Sequence, residues 1–187
     1  MGQAFSEAVS FNLFYHKYLV YNMPDTLRNN WYTAYTYPNL EKKVYGQLLK
    51  QQVKAYLPMQ RVIREWSDRR KELEIPLFPN YVFINISEKD RCSLFHITGL
   101  LRFVSFNGRP ALISDEEISN IQKAENANPE IEPHLIQGED VLIVKGPFTG
   151  LKGKFYTKRG KSRFGIRLNA LHQSLSLEIA ISDIRRI

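Results

Sequence analysis

Hydrophobic and polar residues along this chain recur with two different periods, and the first clear pattern begins at Trp31. The segment Trp31–Tyr37 is rich in aromatic and β-branched residues, which predicts a strand. After it the period becomes that of a helix, with apolar residues on one side at Leu40, Val44 and Leu48. We therefore expect a helix that begins at an Asn39 N-cap and runs to about Lys54.

Two further strands follow, with a charged segment between them. Ala55–Leu57 predicts a short strand, and Ile75–Ile86 predicts an approach segment followed by a buried strand. The intervening segment Arg61–Glu74 carries five basic and four acidic side chains, which predicts an exposed loop or hairpin tip.

A hairpin and a second helix are marked by local signals. Asn107-Gly108 is the strongest two-residue hairpin signal, and Ser114 with Glu117 forms a capping box that predicts a helix to about Asn126. An additional short helix, capped by Ser87 with Asp90, is expected to run through Phe95 before the hairpin, so the element order of this region is β-α-β-β-α-β-β-α. That order predicts an α+β fold, with helices packed on an antiparallel sheet.

The C-terminal part of the chain has a different pattern. Asn126–His134 contains two prolines and little apolar bulk, which is typical of a linker. Four short β-rich runs with glycines between them follow, and they predict a small β-barrel. We expect an N-terminal extension over residues 1–30, to which we assign no role, then a domain over 31–125, a linker over 126–136 and a barrel over 137–187.

Composition and charge add a weak indication of a polyanionic partner. The 187 residues are 43% hydrophobic and 24% charged, a globular composition that excludes wholesale disorder. Residues 1–135 hold 16 basic and 15 acidic side chains, whereas residues 136–187 hold 10 and 4. This excess near the C-terminus favours a nucleic acid or another polyanion.

Motifs for catalysis, metals and cofactors are missing from the sequence. Cys92 is the single cysteine, and the four histidines lie far apart without a second ligand at metal spacing. The Gly160-Lys161-Ser162 segment imitates the end of a phosphate-binding loop, but Phe155 stands where the first glycine is required. We expect a non-enzymatic, monomeric cytoplasmic protein without a membrane span, metal or cofactor.

Four aromatic residues on predicted strands or at strand ends are candidates for binding a partner: Tyr35, Phe78, Tyr81 and Phe106. Core packing explains them, and the pattern alone favours it. The alternative is an exposed aromatic patch that receives a partner helix, because such rings contribute strongly to binding at low entropic cost.

The predicted first helix carries a stripe without acidic residues, formed by Lys43, Gln47, Lys50 and Lys54. Their spacing stacks them along one face of a helix. Such a stripe is either a solvated face or a surface for a phosphate backbone, and the residues alone do not separate the two.

The glycine-rich segment Gly146–Gly153 predicts a tight loop that leads into a strand. Phe148 lies at its tip, and Lys145 and Lys152 flank it. Solvation explains some of the nearby charge, while a surface that faces RNA, DNA or the ribosome explains the imbalance better.

The order of these motifs resembles the NusG family of transcription elongation factors. Trp31-Tyr32 resembles the start of the family's N-terminal NGN domain. Leu77–Phe83 (LFPNYVF) resembles its most recognisable segment, which is usually written with Gly where Asn80 stands. Arg102–Phe106 and the helix start at Ser114 continue the match.

The C-terminal part extends the resemblance to the end of the chain. Gly146–Gly153 is similar to the KOW motif of the family's C-terminal barrel, so the match runs from Trp31 to Ile187. The resemblance implies an NGN-type antiparallel sheet with helices, followed by a small SH3-like KOW β-barrel.

The resemblance also implies partners. NGN domains dock on the clamp helices of RNA polymerase and bridge its DNA channel, which promotes processive elongation. Tyr35, Phe78, Tyr81 and Phe106 match the clamp-binding positions, which favours the exposed patch. The lysine stripe lies where family members approach the non-template DNA strand. The KOW barrel recruits a small-subunit ribosomal protein or the termination factor Rho, and Phe148, Lys145 and Lys152 lie in the matching loop.

Two branches of the family remain open. Asn80, together with Leu77 and Phe83, resembles the RfaH-like branch of specialised antiterminators, which acts on polysaccharide operons. The glycine-rich loop is closer to general NusG proteins. We expect the specialised type, with a general elongation and termination factor as one alternative and a KOW-containing ribosome- or RNA-binding protein as another.

The C-terminal domain is expected to remain a β-barrel. A glycine in a helix interior costs about 1 kcal/mol and a proline about 3 kcal/mol, and this region contains several glycines and Pro147. We further expect the barrel to move independently on its linker and to leave the aromatic patch uncovered.

Overall fold

The computed structural model describes residues 27–66 and 69–187, so most of the predicted N-terminal extension lies outside the described residues. The N-terminal domain comprises β1 (Asn29–Thr36), α1 (Glu41–Lys50), β2 (Lys54–Tyr56), β3 (Met59–Glu65), β4 (Arg70–Pro76), β5 (Tyr81–Ser87), a 3₁₀ helix (Arg91–His96), β6 (Leu100–Phe103), β7 (Ser105–Phe106), β8 (Arg109–Pro110), β9 (Leu112–Ile113) and α2 (Asp115–Glu125). The C-terminal domain comprises β10 (Glu130–Glu132), β11 (Glu139–Ile143), β12 (Lys152–Lys158), β13 (Lys161–Leu168), a 3₁₀ helix (Asn169–Leu171), β14 (Gln173–Glu178), a 3₁₀ helix (Ile181–Asp183) and β15 (Ile184–Arg186).

The N-terminal domain is built on one antiparallel sheet. Its strand order is β2-β5-β1-β6, and β9 also pairs with β1. Helix α1 buries Val44 and Leu48 against this sheet, as the helical period predicts. The predicted α+β fold is confirmed.

Helix α1 is shorter than predicted at both ends. Its N-cap is Leu40, while Asn39 has a φ of 62° and lies in the preceding turn. The helix ends at Lys50 because Gln52, with a φ of 59°, takes the left-handed conformation that stops helical hydrogen bonding. Lys54 is therefore the first residue of β2 and does not belong to the helix.

The two local signals near α2 are confirmed. Asn107 and Gly108 both have positive φ, and they connect β7 to β8 in a tight hairpin. The Ser114 hydroxyl accepts a hydrogen bond from the Glu117 amide, and the Glu117 carboxylate accepts one from the Ser114 amide, which completes the capping box of α2.

The C-terminal domain is a six-stranded antiparallel sheet in the order β10-β14-β13-β12-β11-β15. Close strand contact requires Gly153, because a Cβ at this position would lie 2.5 Å from the Gly165 carbonyl oxygen. Strand β10 lies within the predicted linker and pairs with β14. Residues Glu130–Glu132 are thus part of the C-terminal sheet rather than of a flexible connection.

One hydrophobic core cluster includes residues of both domains. Ala111, Ile113 and Ile118 belong to the N-terminal domain, and Ala170 and Leu171 of the same cluster belong to the C-terminal domain. The expectation of an independently moving barrel is therefore wrong for this structure, because packing between the domains holds the barrel in place. Within residues 27–66 and 69–187, no helix is long and apolar enough to cross a membrane.

Candidate functional site

Tyr35 and Tyr81 form a paired platform on the N-terminal sheet. They lie directly opposite each other on β1 and β5, with their ring centroids 4.6 Å apart. The Tyr81 hydroxyl donates a hydrogen bond to the Tyr35 hydroxyl at 2.7 Å. Burial, and then the hydrogen bond with Tyr35, raises the pKa of Tyr81 well above its usual value. The Tyr81 hydroxyl therefore stays protonated to a higher pH than an ordinary tyrosine and remains a donor.

Arg102 extends this platform across the next strand. It lies opposite Tyr35 in the β1–β6 register, and its guanidinium carbon is 5.1 Å from the Tyr35 ring centroid, a cation–π contact. Its side chain is exposed, so it offers donors beside the rings. The sequence did not single out this arginine, because its position against Tyr35 depends on a register between distant strands.

Phe106 completes what we call the aromatic surface, defined as Tyr35, Tyr81, Arg102 and Phe106. It lies on the β7–β8 hairpin and is 42% exposed. Together with residues of the C-terminal domain, the four line a common cleft. Three of the four predicted aromatic residues are thus brought together.

Phe78 is not part of this surface. It is 1% exposed and packs edge-to-face against Phe83, with the ring centroids 5.8 Å apart. The prediction that Phe78 is exposed is wrong, because its side chain belongs to the core. For this residue, core packing was the correct one of the two interpretations.

Asn80 supports the platform through its backbone. Its φ of 68° lies in the left-handed region, where glycine is preferred and asparagine is tolerated better than most residues. Its amide donates to the buried Glu41 carboxylate at 2.8 Å, and its carbonyl accepts from the Thr36 amide at 2.9 Å. The conformation explains why the matching family segment usually carries Gly at this position.

The C-terminal domain covers part of the aromatic surface. Ala170, Leu171 and His172 face it across a cleft of about 210 Å³. Nearby, the Asn169 amide donates to the Glu117 carboxylate at 3.2 Å, which ties the barrel to α2. The expectation that the barrel leaves the patch uncovered is therefore wrong for this conformation.

The predicted lysine stripe is divided by the structure. Lys43 and Lys50 are exposed on α1, while the Gln47 side-chain amide donates to the Thr98 carbonyl at 2.9 Å. Lys54 lies in β2, where its ammonium is 5.3 Å from the Trp31 ring centroid. Only the first three residues share the helix.

The glycine-rich loop of the barrel presents the predicted lysines at the surface. Lys145 and Lys152 are exposed, whereas Phe148 is half-buried against the core. The turn is held by the Thr149 hydroxyl, which donates to the Gly146 carbonyl at 2.7 Å.

Most other cations of the barrel have acidic partners. Ion pairs join Lys154 to Asp140, Lys158 to Glu130 and Glu132, Lys161 to Glu178, Arg163 to Glu130, and Arg186 to Glu139. Two of these carboxylates come from β10, in the predicted linker. With β10 included, the C-terminal domain spans residues 130–187 and holds ten basic and six acidic side chains. Its basic excess is therefore four charges, whereas the excess counted over residues 136–187 was six.

The described part of the chain contains no group of three or more His, Cys, Asp or Glu residues that is arranged to hold a metal ion.

Comparisons with known proteins identify one family. A family model described as "Transcription termination factor nusG" matches residues 29–122, half of the chain. The "Transcription termination/antitermination protein NusG" of Vibrio vulnificus is 24% identical over 183 residues, which cover 88% of this chain and 100% of that protein. Its counterpart from Streptococcus pyogenes serotype M3 is 24% identical over 147 residues, covering 71% and 82%. The solved structure "Domain interaction in Thermotoga maritima NusG" covers 87% of this chain and 99% of its own at 22% identity and a TM-score of 0.47. From the match to the family model, this chain belongs to the NusG family of transcription termination/antitermination proteins.

Proposed function

We propose that this NusG-family protein binds RNA polymerase through its aromatic surface and promotes processive elongation. The observation that carries the proposal is the Tyr35–Tyr81 pair, which is fixed by a hydrogen bond and flanked by the exposed guanidinium of Arg102. Rigid aromatic rings beside an arginine are the composition typical of binding hot spots. The proposed partner is the coiled-coil clamp helices, whose side chains would pack on the two rings.

In the proposed mechanism, the polymerase can bind the aromatic surface only after the barrel has moved away from it. The segment Ala170–His172 occupies the side of the cleft that faces the aromatic surface. A helical partner that covers Tyr35 and Tyr81 would have to displace this segment. In the proposed mechanism, the polymerase and the barrel compete for one surface, and the released barrel exposes its own interface.

Two secondary contacts accompany the proposed polymerase contact. Lys43 and Lys50, both exposed on α1, would approach the phosphates of the non-template DNA strand. The loop that carries Lys145, Phe148 and Lys152 would receive a small-subunit ribosomal protein or Rho after the barrel is released.

Within the family, we propose a specialised antiterminator that acts at particular operons, of the polysaccharide type. Support comes from Asn80 in the left-handed turn and from the exposed lysines of α1. The glycine-rich barrel loop favours the alternative of a general factor. Genome-wide occupancy distinguishes the two, because a specialised factor is confined to few transcription units and a general one follows polymerase on most of them.

The alternative of a KOW-containing RNA- or ribosome-binding protein receives less support. Such a function needs unpaired cations on the barrel. Lys145 and Lys152 are exposed, but Lys154, Lys158 and Arg163 are held in ion pairs. These pairs reduce the positive charge available to phosphates.

The affinity of the full-length protein for core RNA polymerase tests the proposal. Tyr81→Ala should weaken binding by about 30-fold or more, because removal of a central aromatic anchor typically costs at least about 2 kcal/mol of binding free energy. Leu49→Ala is the control, because Leu49 is a large exposed apolar residue that lies on α1 and does not belong to the aromatic surface. Polymerase without its clamp helices should bind wild type and Tyr81→Ala equally weakly. Wild-type affinity of Tyr81→Ala, with an unchanged circular dichroism spectrum, would contradict the proposal.

A further inference from the structure

Strands β3 and β4 form a two-stranded hairpin whose two faces differ in charge. Within the described residues, each strand forms a sheet only with the other. Two further hydrogen bonds tie the hairpin to the domain, from the Lys42 ammonium to the Glu74 carbonyl and from the Arg61 backbone amide to the Asn128 side chain. Directly opposite residues of an antiparallel pair share a face, so the register assigns each side chain to one of two faces.

One face carries charges that are paired with each other. Arg61 lies opposite Glu74, and its side chain is 3.6 Å from that carboxylate and 3.9 Å from Glu72. Nearer the tip, Arg70 lies opposite Glu65 and forms an ion pair with it. Two guanidinium groups therefore pair with three carboxylates on this side, which leaves it with one net negative charge.

The other face carries no carboxylate at its register positions. Val62 lies opposite Leu73, and Arg64 lies opposite Lys71. Both cations are exposed, and neither has an ion-pair partner within residues 27–66 and 69–187. Trp66 continues the ladder through backbone hydrogen bonds with Arg69, and 57% of its surface is exposed. It stands two residues after Arg64 and so falls on the same face. We call Arg64, Trp66 and Lys71 the basic hairpin face.

Two features of the basic hairpin face indicate an anionic ligand. Like charges directly opposite each other destabilise a strand pair, and an anion bound between Arg64 and Lys71 would remove this repulsion. An exposed Trp near two cations is also typical of sites that bind single-stranded nucleic acids, because the phosphates pair with the cations and a base stacks on the ring.

We propose that the basic hairpin face binds single-stranded RNA, with Trp66 stacking on a base and Arg64 and Lys71 contacting phosphates. Stacking on Trp66 requires an unpaired base, and transcription releases RNA as a single strand while most DNA remains double-stranded. This site is separate from the aromatic surface. The hairpin follows β2 at one edge of the N-terminal sheet, whereas Arg102 lies on β6 at the opposite edge.

Fluorescence anisotropy of the full-length protein with a labelled 12-nucleotide single-stranded RNA tests this proposal. The variant Arg64→Gln/Lys71→Gln should bind at least 10-fold more weakly, and the slope of log affinity against log salt should fall by about 1.4 for two lost single-strand phosphate contacts. Trp66→Ala should weaken binding several-fold while leaving the salt slope unchanged, since stacking rather than charge is lost.

The matched control is Arg61→Gln/Arg70→Gln, which removes the same charge from the opposite face of the same hairpin. It should change RNA affinity by less than twofold. Equal losses in both double variants would show a general charge effect and overturn the proposal. Tighter binding of single-stranded or duplex DNA of the same sequence, with the same dependence on Arg64 and Lys71, would overturn the assignment to RNA.

Discussion

The ring of Phe106, on the N-terminal domain, meets the ring of His172, on the C-terminal domain, edge-to-face at a centroid distance of 4.7 Å. Such aromatic pairs contribute about 0.5–1.5 kcal/mol beyond the area that they bury. This contact therefore helps to hold the barrel on the surface that we propose for polymerase, and loosening it should favour polymerase binding.

Replacement of His172 tests this competition. His172→Asn removes the ring but keeps a residue that tolerates the left-handed φ of 52°. We expect the full-length variant to bind core polymerase about 3- to 10-fold more tightly, because less free energy holds the barrel closed. His134→Asn, at an exposed position, is the control and should leave the affinity unchanged. Unchanged affinity of His172→Asn would show that this contact does not limit access.

Phe78 should affect stability before it affects binding. Phe78→Ala removes a fully buried ring that packs on Phe83, and we expect a loss of about 3–5 kcal/mol in the free energy of unfolding. Denaturant titration measures this loss. Phe106→Ala is the comparison, and it should cost less than half as much because Phe106 is 42% exposed. Equal costs would contradict the different burial of the two rings.

The exposed lysines of α1 should determine the salt dependence of DNA-assisted recruitment. Lys43→Gln/Lys50→Gln should lower the salt slope of binding to a polymerase–DNA complex by about two, since each lost phosphate contact removes roughly one unit. Lys54→Gln should leave the slope unchanged, because Lys54 lies in β2 over Trp31. A slope that stays the same in the double variant would show that α1 presents a solvated face.

Glu130 should make the stability of the C-terminal domain depend on pH. Partial burial acts to raise the pKa of this carboxyl, but Arg163 and Lys158 outweigh that effect and lower the pKa below its ordinary value of 4.5. A carboxylate with a lowered pKa stabilises the fold above its unfolded pKa, and this contribution is lost as the pH falls below about 4.5.

Thermal unfolding of wild type and Glu130→Gln between pH 3 and pH 7 checks this dependence. The wild type should lose more stability on acidification than the variant, and the two melting curves should converge at low pH. High salt screens exposed ion pairs and should reduce the difference at pH 7. Parallel pH profiles for the two proteins would contradict a role for Glu130.

Local signals predicted the elements of this fold well. The Asn107-Gly108 hairpin and the capping box at Ser114 depend on neighbouring residues alone, and both are confirmed. The predicted end of α1, at about Lys54, is wrong because the helix stops at Lys50. That stop depends on the left-handed conformation of Gln52, which the apolar period does not reveal.

The candidate site was predicted less completely, because its features depend on non-local packing. Burial of Phe78 and the contact of Arg102 with Tyr35 both require the tertiary arrangement of distant strands. The position of the barrel on the aromatic surface depends on side chains such as His172 that no local pattern singles out. Residues Glu130–Glu132 were predicted to belong to a linker, and their place in the C-terminal sheet likewise depends on pairing with the distant strand β14.

The most direct test of the central claim is nuclear magnetic resonance of the full-length protein during titration with a polypeptide that carries the polymerase clamp helices. The binding model predicts that the signals of Tyr35, Tyr81 and Phe106 shift together, and that the signals of Ala170–His172 shift at the same protein ratios as the barrel is displaced. Saturable shifts confined to other residues, with Tyr35 and Tyr81 unchanged, would contradict binding through the aromatic surface.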